Sequence, residues 1–191
     1  HFQRARSGEG RNRGDGAQAP PLGPRPFDQL GNRFICSNRN PCMQVVIEDR
    51  YLKRNPHLAV KRPLHDVGPA GADSKIFPIS RAWTTSNLHA GQFTAACGVT
   101  FHDGYGLPSE FAWKFYTCDP TGNLVHLTNP DYGSALVTAR SQPENVEFLA
   151  SPDEWFRPVN VANGPDGALY IVDMYRAVIE HPKWVPVELK D

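Results

Sequence analysis

Four polar side chains flank a single Pro-Asp-Gly turn in "WFRPVNVANGPDGALYIVDMYRAVIEHP": Arg157 on one side, and Asp173, Tyr175 and Arg176 on the other. Arginine suits planar carboxylates because its guanidinium presents a fork of donors. Arg157 lies between Phe156 and Pro158, and a semi-buried arginine needs an anionic partner. Two partners are open from the sequence: the carboxylate of a ligand, or Asp173. Tyr175 and Arg176 follow Asp173 in one loop, where they would line a pocket. Arg81, in "FPISRAWTTSN", is a further candidate. Asn160 alternates with Val159 and Val161, a spacing that would turn its amide into a channel while the valines face a sheet. His89, in "TTSNLHAGQFTAACG", is of a type whose unperturbed pKa near about 6.5 suits a general base. The plain alternative is a hydrogen-bonding histidine in a loop.

Other chemistries lack their signatures. His102, His126 and His181 stand apart with no metal-ligand spacing, and no HExxH occurs. No metal site is expected on that ground. There is no GxSxG nucleophile elbow and no phosphate loop. Four cysteines, Cys36, Cys42, Cys97 and Cys118, form neither CxxC nor CxxCH, which sets aside zinc-ribbon and covalent haem readings. Disulfides and buried free thiols both remain open for them.

The charge is balanced, with 20 basic and 20 acidic residues, which argues against nucleic-acid or membrane-surface binding through bulk electrostatics. No apolar window is long enough to span a bilayer. No leader pattern stands at the start, and the chain opens on His1 rather than Met. A missing N-terminus is the natural reading of that start, so a leader gives no address.

The elements that must position these side chains are short strands. The chain of 191 residues carries 16 Gly and 18 Pro, a composition of many tight turns and few long helices. Residues 1–26, rich in Arg, Gly and Pro, read as a tail without its own core, either disordered or an aberrant edge. From Phe27 onward, runs of β-branched and aromatic residues alternate with Gly, Asn, Asp and Pro. Strands are expected at 33–37, 43–48, 93–102, 114–118, 123–127, 146–150, 159–163 and 168–174. Only 40–55 competes as a helix, with Asn40 as cap and Pro41 at its first position; its β-branched "QVVI" favours strand. The tryptophans are expected in the core or between sheets. Pro165-Asp166-Gly167 and Thr121-Gly122-Asn123 read as turn chemistry.

Three strand-and-loop units can be laid side by side: "RFICSNRNPCMQVV" from Arg33, "KFYTCDPTGNLVHL" from Lys114 and "ALYIVDMYRAVIEH" from Ala168. Their starts are 81 and 54 residues apart. The second spacing is close to a propeller blade of roughly 40–50 residues, and the first is a blade with a long insertion over 55–92. The fold expected is therefore all-β, a partial β-propeller of three blades. In such a blade the segment leading into the first strand and the loop leaving the second share one face. Polar groups from the three units would then meet on one rim near the axis. Asp119 matches Asp173 in repeat position, which suits either a site residue or a structural cap on each loop.

The stretches "GNRFICSNRNPCMQVVIEDRYLKRNPHLAV", "IFPISRAWTTSNLHAGQFTAACGVT", "FYTCDPTGNLVH" and "EFLASPDEWFRPVNVANGPDGALYIVDMYRAVIEHPKWVP" resemble the membrane-bound dehydrogenase propeller domain of planctomycetes and their relatives. The resemblance covers the chain from Phe27 to its end. It implies a six-bladed propeller related to soluble glucose and sorbosone dehydrogenases, so that 27–191 would be a fragment of a larger protein. It further implies oxidation of a sugar or other alcohol by pyrroloquinoline quinone with calcium. His89 would take the substrate proton, and Arg157 and Arg176 would hold the quinone carboxylates. The implied partners are the remaining blades and a cytochrome c domain or protein that collects electrons, in a periplasmic or exported setting. The competing function is a propeller that binds a glycan or protein without catalysis.

Overall fold

A computed structural model describes residues 27–81, 91–140 and 145–179. The expected tail over 1–26, together with His89, Trp83, His181 and Trp184, lies outside the described residues. Within them the chain is all-β. Its helix content is one turn, α1 (Asp49–Leu52), and short 3-10 turns at Gly71–Asp73 and Ser109–Phe111. No helix among the described residues is long and apolar enough to cross a membrane.

Among the described residues the strands form four antiparallel sheets. The first joins β1 (Phe34–Ser37), β2 (Asn40–Val45) and β3 (Leu64–Asp66). The second comprises β4 (Cys97–His102), β5 (Lys114–Asp119), β6 (Leu124–Thr128) and the short β9 (Leu149–Ala150), hydrogen-bonded in that order. Between β6 and β9, β7 (Pro130–Asp131) pairs with β8 (Thr138–Ala139). The third sheet is a hairpin of β10 (Pro158–Asn163) and β11 (Leu169–Asp173), closed by the Pro165-Asp166-Gly167 turn, where Gly167 takes φ 78°.

The central sheet is covered on both faces, which follows from the two-residue alternation of β5. Phe115 and Thr117 face the first sheet. Phe115 packs against Phe34 with ring centroids 4.2 Å apart and against Phe101 at 5.0 Å, and Thr117 Oγ1 donates to the Pro41 carbonyl at 2.9 Å. Tyr116 and Cys118 face the hairpin, in a core with Val125, Val161, Leu169 and Ile171. Strands buried on both faces are apolar throughout rather than alternating, which is how "FYTC" reads. Fully burying each such large side chain stabilises the fold by about 1.5–3 kcal/mol.

The central sheet and the hairpin approach most closely at Gly98. A Cβ built there would lie 2.6 Å from the Asn160 Cα, and Gly98 itself adopts φ 62°. Both facts demand glycine. Across the same seam Thr100 Oγ1 donates to the Val161 carbonyl at 2.7 Å, and Asn163 Nδ2 to that of Phe101 at 2.8 Å.

Several expectations shift. Strand β2 starts at Asn40, and helix appears only over Asp49–Leu52. The stretch 55–92 is not a simple external loop: it supplies β3, and its Ile76 joins Phe93, Ala96 and Leu124 in a separate core. The expectation of core tryptophans fails at Trp113 and Trp155, both about half exposed. Trp113 takes φ 62° at the tip leading into β5, and its ring lies 6.3 Å from that of Phe101, centroid to centroid.

Candidate functional site

The end of β5 shows how the rim is built. Asp119 is fully buried, and its carboxylate collects donors from two directions. Oδ2 accepts the backbone N–H groups of Thr94 and Ala95, at 3.2 and 3.5 Å, from the segment leading into β4. Oδ1 accepts the N–H groups of Thr121 and Gly122 at 2.9 and 3.0 Å, and the Thr121 hydroxyl at 2.5 Å, from the loop leaving β5. Burial pushes the Asp119 carboxyl above its ordinary range, and the donors pull against that. Asp173 repeats the device at the end of β11. Its Oδ1 accepts the backbone N–H of Arg157, leading into β10, at 2.8 Å and that of Tyr175 at 2.9 Å. In both units an aspartate ties the incoming segment to the outgoing loop, so these residues are caps.

Arg157 then locks two units together. Its guanidinium is buried, donating to the carbonyls of Pro120 (Nη1, 2.6 Å), Ala177 (Nη2, 2.6 Å) and Arg176 (Nε, 3.2 Å). The first belongs to the loop after β5 and the others to the loop after β11. The sequence offered a ligand carboxylate or Asp173 as its partner; these three bonds go to carbonyl dipoles instead. These acceptors sit in the loops that leave β5 and β11, and a five-donor fork meets several at once.

A cavity of about 200 Å³ opens where these segments meet. It is walled by Asn38 after β1, Thr94 and Ala95 before β4, Pro120 and Thr121 after β5, and Arg157 and Ile179 of the third unit. Loops from all three units thus reach one hollow. Its polar walls are Asn38, Thr94, Thr121 and Arg157, and the Thr94 and Thr121 hydroxyls lie 2.6 Å apart.

The other predicted residues lie elsewhere. Asn160 does not face a channel: it sits against Gly98 of β4, and its Oδ1 accepts the Val161 N–H at 2.9 Å. Tyr175 is exposed at φ 44° and packs on Trp155 with centroids 5.8 Å apart. Asp153 beside it pushes its phenol above the ordinary value. Arg176 contributes its carbonyl to Arg157. Arg81 is exposed and is not among the residues walling the cavity. His89 is outside the described residues. Thr94, Ala95 and Ile179 were not singled out from sequence, and Thr121 was read only as a turn. For three of them the signal available was position: Thr94 and Ala95 lie just before β4, and Thr121 two residues after Asp119.

Two histidines act as ties. His126 Nδ1 lies 2.7 Å from Oε2 of the buried Glu147, whose Oε1 accepts the Phe77 N–H at 3.0 Å. His102 is buried with Nδ1 2.7 Å from Asn163 Oδ1. Among the described residues no three His, Cys, Asp or Glu side chains gather as a metal-holding group.

Among the described residues, the walls of this hollow do not by themselves make the quinone and calcium site that the resemblance implies. The Arg157 donors needed for quinone carboxylates engage Pro120, Arg176 and Ala177. A hollow of about 200 Å³ is also smaller than the roughly 300–1,000 Å³ of pockets that hold drug-sized ligands.

Comparison with known proteins places the chain in a family. Residues 23–191 match the model described as a domain of unknown function, DUF7133, and the chain belongs to that family. No curated protein and no solved structure matches it.

Proposed function

We propose that this member of the DUF7133 family is a propeller-type unit whose rim cavity binds a small neutral molecule rich in hydroxyl groups, such as a monosaccharide or a short polyol. One observation carries the reading: the loops of three successive units converge on one hollow whose polar walls are Asn38, Thr94, Thr121 and Arg157. With Thr121 donating to Asp119 and Thr94 to Thr121, the two hydroxyl oxygens turn lone pairs to the hollow, which suits a ligand that donates from its own hydroxyls. Pro120, Ala95 and Ile179 offer apolar surface to its C–H faces. The volume of about 200 Å³, at about 30 Å³ per displaced water, corresponds to roughly seven waters, a monosaccharide-sized occupant. In this reading the outer face of the hairpin, with Tyr170 and Val172 exposed, is where a further blade docks.

Calorimetric titration of the chain with a panel of monosaccharides and small polyols tests the proposal. Asn38→Ala and Thr94→Val should each weaken the best binder about fivefold, roughly one neutral hydrogen bond. Absence of binding across the panel, or unchanged affinity in both variants, defeats it.

A dehydrogenase reading extends the same site. His89 stands five residues before Thr94, in the segment leading to the cavity wall, and the resemblance assigns it the substrate proton. Oxidation would then need a quinone, held by parts beyond the described residues, and a cytochrome as electron acceptor. The check is dye reduction by the intact protein with pyrroloquinoline quinone, calcium and the sugar that binds. His89→Ala should abolish turnover while sugar affinity persists. Sugar binding with no turnover leaves a binding module.

A further inference from the structure

Cys97 and Cys118 stand directly opposite each other in the β4–β5 ladder, and their side chains share the core between the central sheet and the hairpin. Antiparallel partners hold their Cα atoms about 4.5–5.5 Å apart, within the span of about 4.4–6.8 Å that a disulfide bridges. Cys97 Sγ is already 3.8 Å from the Cys118 carbonyl oxygen. We propose that Cys97 and Cys118 form a reversible cross-strand disulfide that staples the two segments walling the cavity.

All four cysteines are free thiols in this structure, so the cluster contains its own competitors. Cys36 and Cys42 lie on the neighbouring strands β1 and β2, but the register shifts between Ile35 and Ser37, and Cys36 has no direct cross-strand partner. Cys36 is near enough to Cys42, Cys97 and Cys118 to influence each electrostatically. Geometry favours the Cys97–Cys118 pair because these two residues are direct ladder partners, with the register shift falling after Cys97, between it and Thr100.

The oxidant required is a low-molecular-weight disulfide, RSSR. The Cys97 thiolate attacks one sulfur, a Cys97–SR bond forms and RS⁻ leaves with the proton that Cys97 released. The Cys118 thiolate then attacks the Cys97 sulfur and expels the second RS⁻, which takes the Cys118 proton. One S–S bond forms in the protein, one is lost from the oxidant, and two RSH result. Cys97 reacts first because it is partly exposed, whereas Cys118 is buried. Burial pushes the Cys97 thiol up to about 12 and that of Cys118 further. Thiolate is therefore scarce at neutral pH, and exchange is slow until pH rises or the rim opens. Cys97 follows Ala95 by two residues, and Cys118 directly precedes Asp119. The bond would therefore fix both sides of the Asp119 cap, whatever the cavity binds.

The test incubates the intact chain with oxidised glutathione at about pH 8.5, then quenches with acid, alkylates and maps peptides by mass. The expected product has lost two hydrogens and contains one linked peptide pair holding Cys97 and Cys118. It should exchange the amide hydrogens of Thr94, Ala95, Thr121 and Gly122 more slowly and melt roughly 5–10 °C higher. Cys118→Ser should stop at a single glutathione on Cys97, and Cys36→Ser should still form the link. Alkylation of all four cysteines, or a link that includes Cys36 or Cys42, overturns the proposal.

Discussion

In β5 every residue from Phe115 to Asp119 is buried, whereas in β11 Tyr170, Val172 and Asp173 are exposed. The two strands occupy the same place in their units and end in the same aspartate, yet one is covered on both faces and the other on one. Asp119 and Asp173 make the same kind of bonds, to an incoming backbone N–H and to the N–H two residues on. Asp119, buried, carries the cost of desolvation. The device is therefore local and written in the repeat, while its energetic weight is set by what lies on top of it.

Mutations should separate the two regions clearly. Phe115→Ala removes a ring wedged between Phe34 and Phe101 and should destabilise the fold by about 3–5 kcal/mol. Val172→Ala on the open face of the hairpin should change stability by no more than about 0.5 kcal/mol. Urea denaturation of both variants measures the contrast, and equal losses would mean the hairpin face is covered in solution. Asp119→Ala strands buried donors of two segments and should cost about 3 kcal/mol, against about 1 kcal/mol for Asp173→Ala. Gly98→Ala sets a Cβ against Asn160 at an unfavourable φ. It should cost about 2 kcal/mol and raise amide exchange in β10 before β6, since it pries the hairpin from the sheet.

The smallest effect is in pH. With its folded pKa raised by burial, Asp119 binds a proton more readily in the folded state than in the unfolded chain. Stability from this group is therefore fully present below the ordinary carboxylate range near about 4 and declines as pH rises through the folded value. Asp119→Asn should flatten that decline relative to the parent. A parent stability that instead rose across the window relative to Asp119→Asn would show that the donors outweigh burial.

The strands were legible because short β-branched and aromatic runs bounded by turn residues have few other uses. The unit spacing made the equivalence of Asp119 and Asp173 legible as well. The partners of Arg157 were not, because backbone carbonyls carry no signature in side-chain letters. β3 was missed since "LHD" lies in a stretch rich in Pro and Gly and is a strand only because β2 offers it an edge. Asn160 was misassigned because alternation tells which side of a strand a residue takes, not what waits there. The bulge between Pro158 and Asn160 and the approach of Gly98 decided that.

The sequence by itself determined the all-β class, the turn chemistry and the repeated aspartates, since each follows from backbone preferences within a few residues. Only the tertiary structure decided that β5 is buried on both faces, that Arg157 binds carbonyls and that Asn38, Thr94, Thr121 and Ile179 share one hollow. Those outcomes depend on contacts between segments far apart in the chain, where packing selects the neighbour.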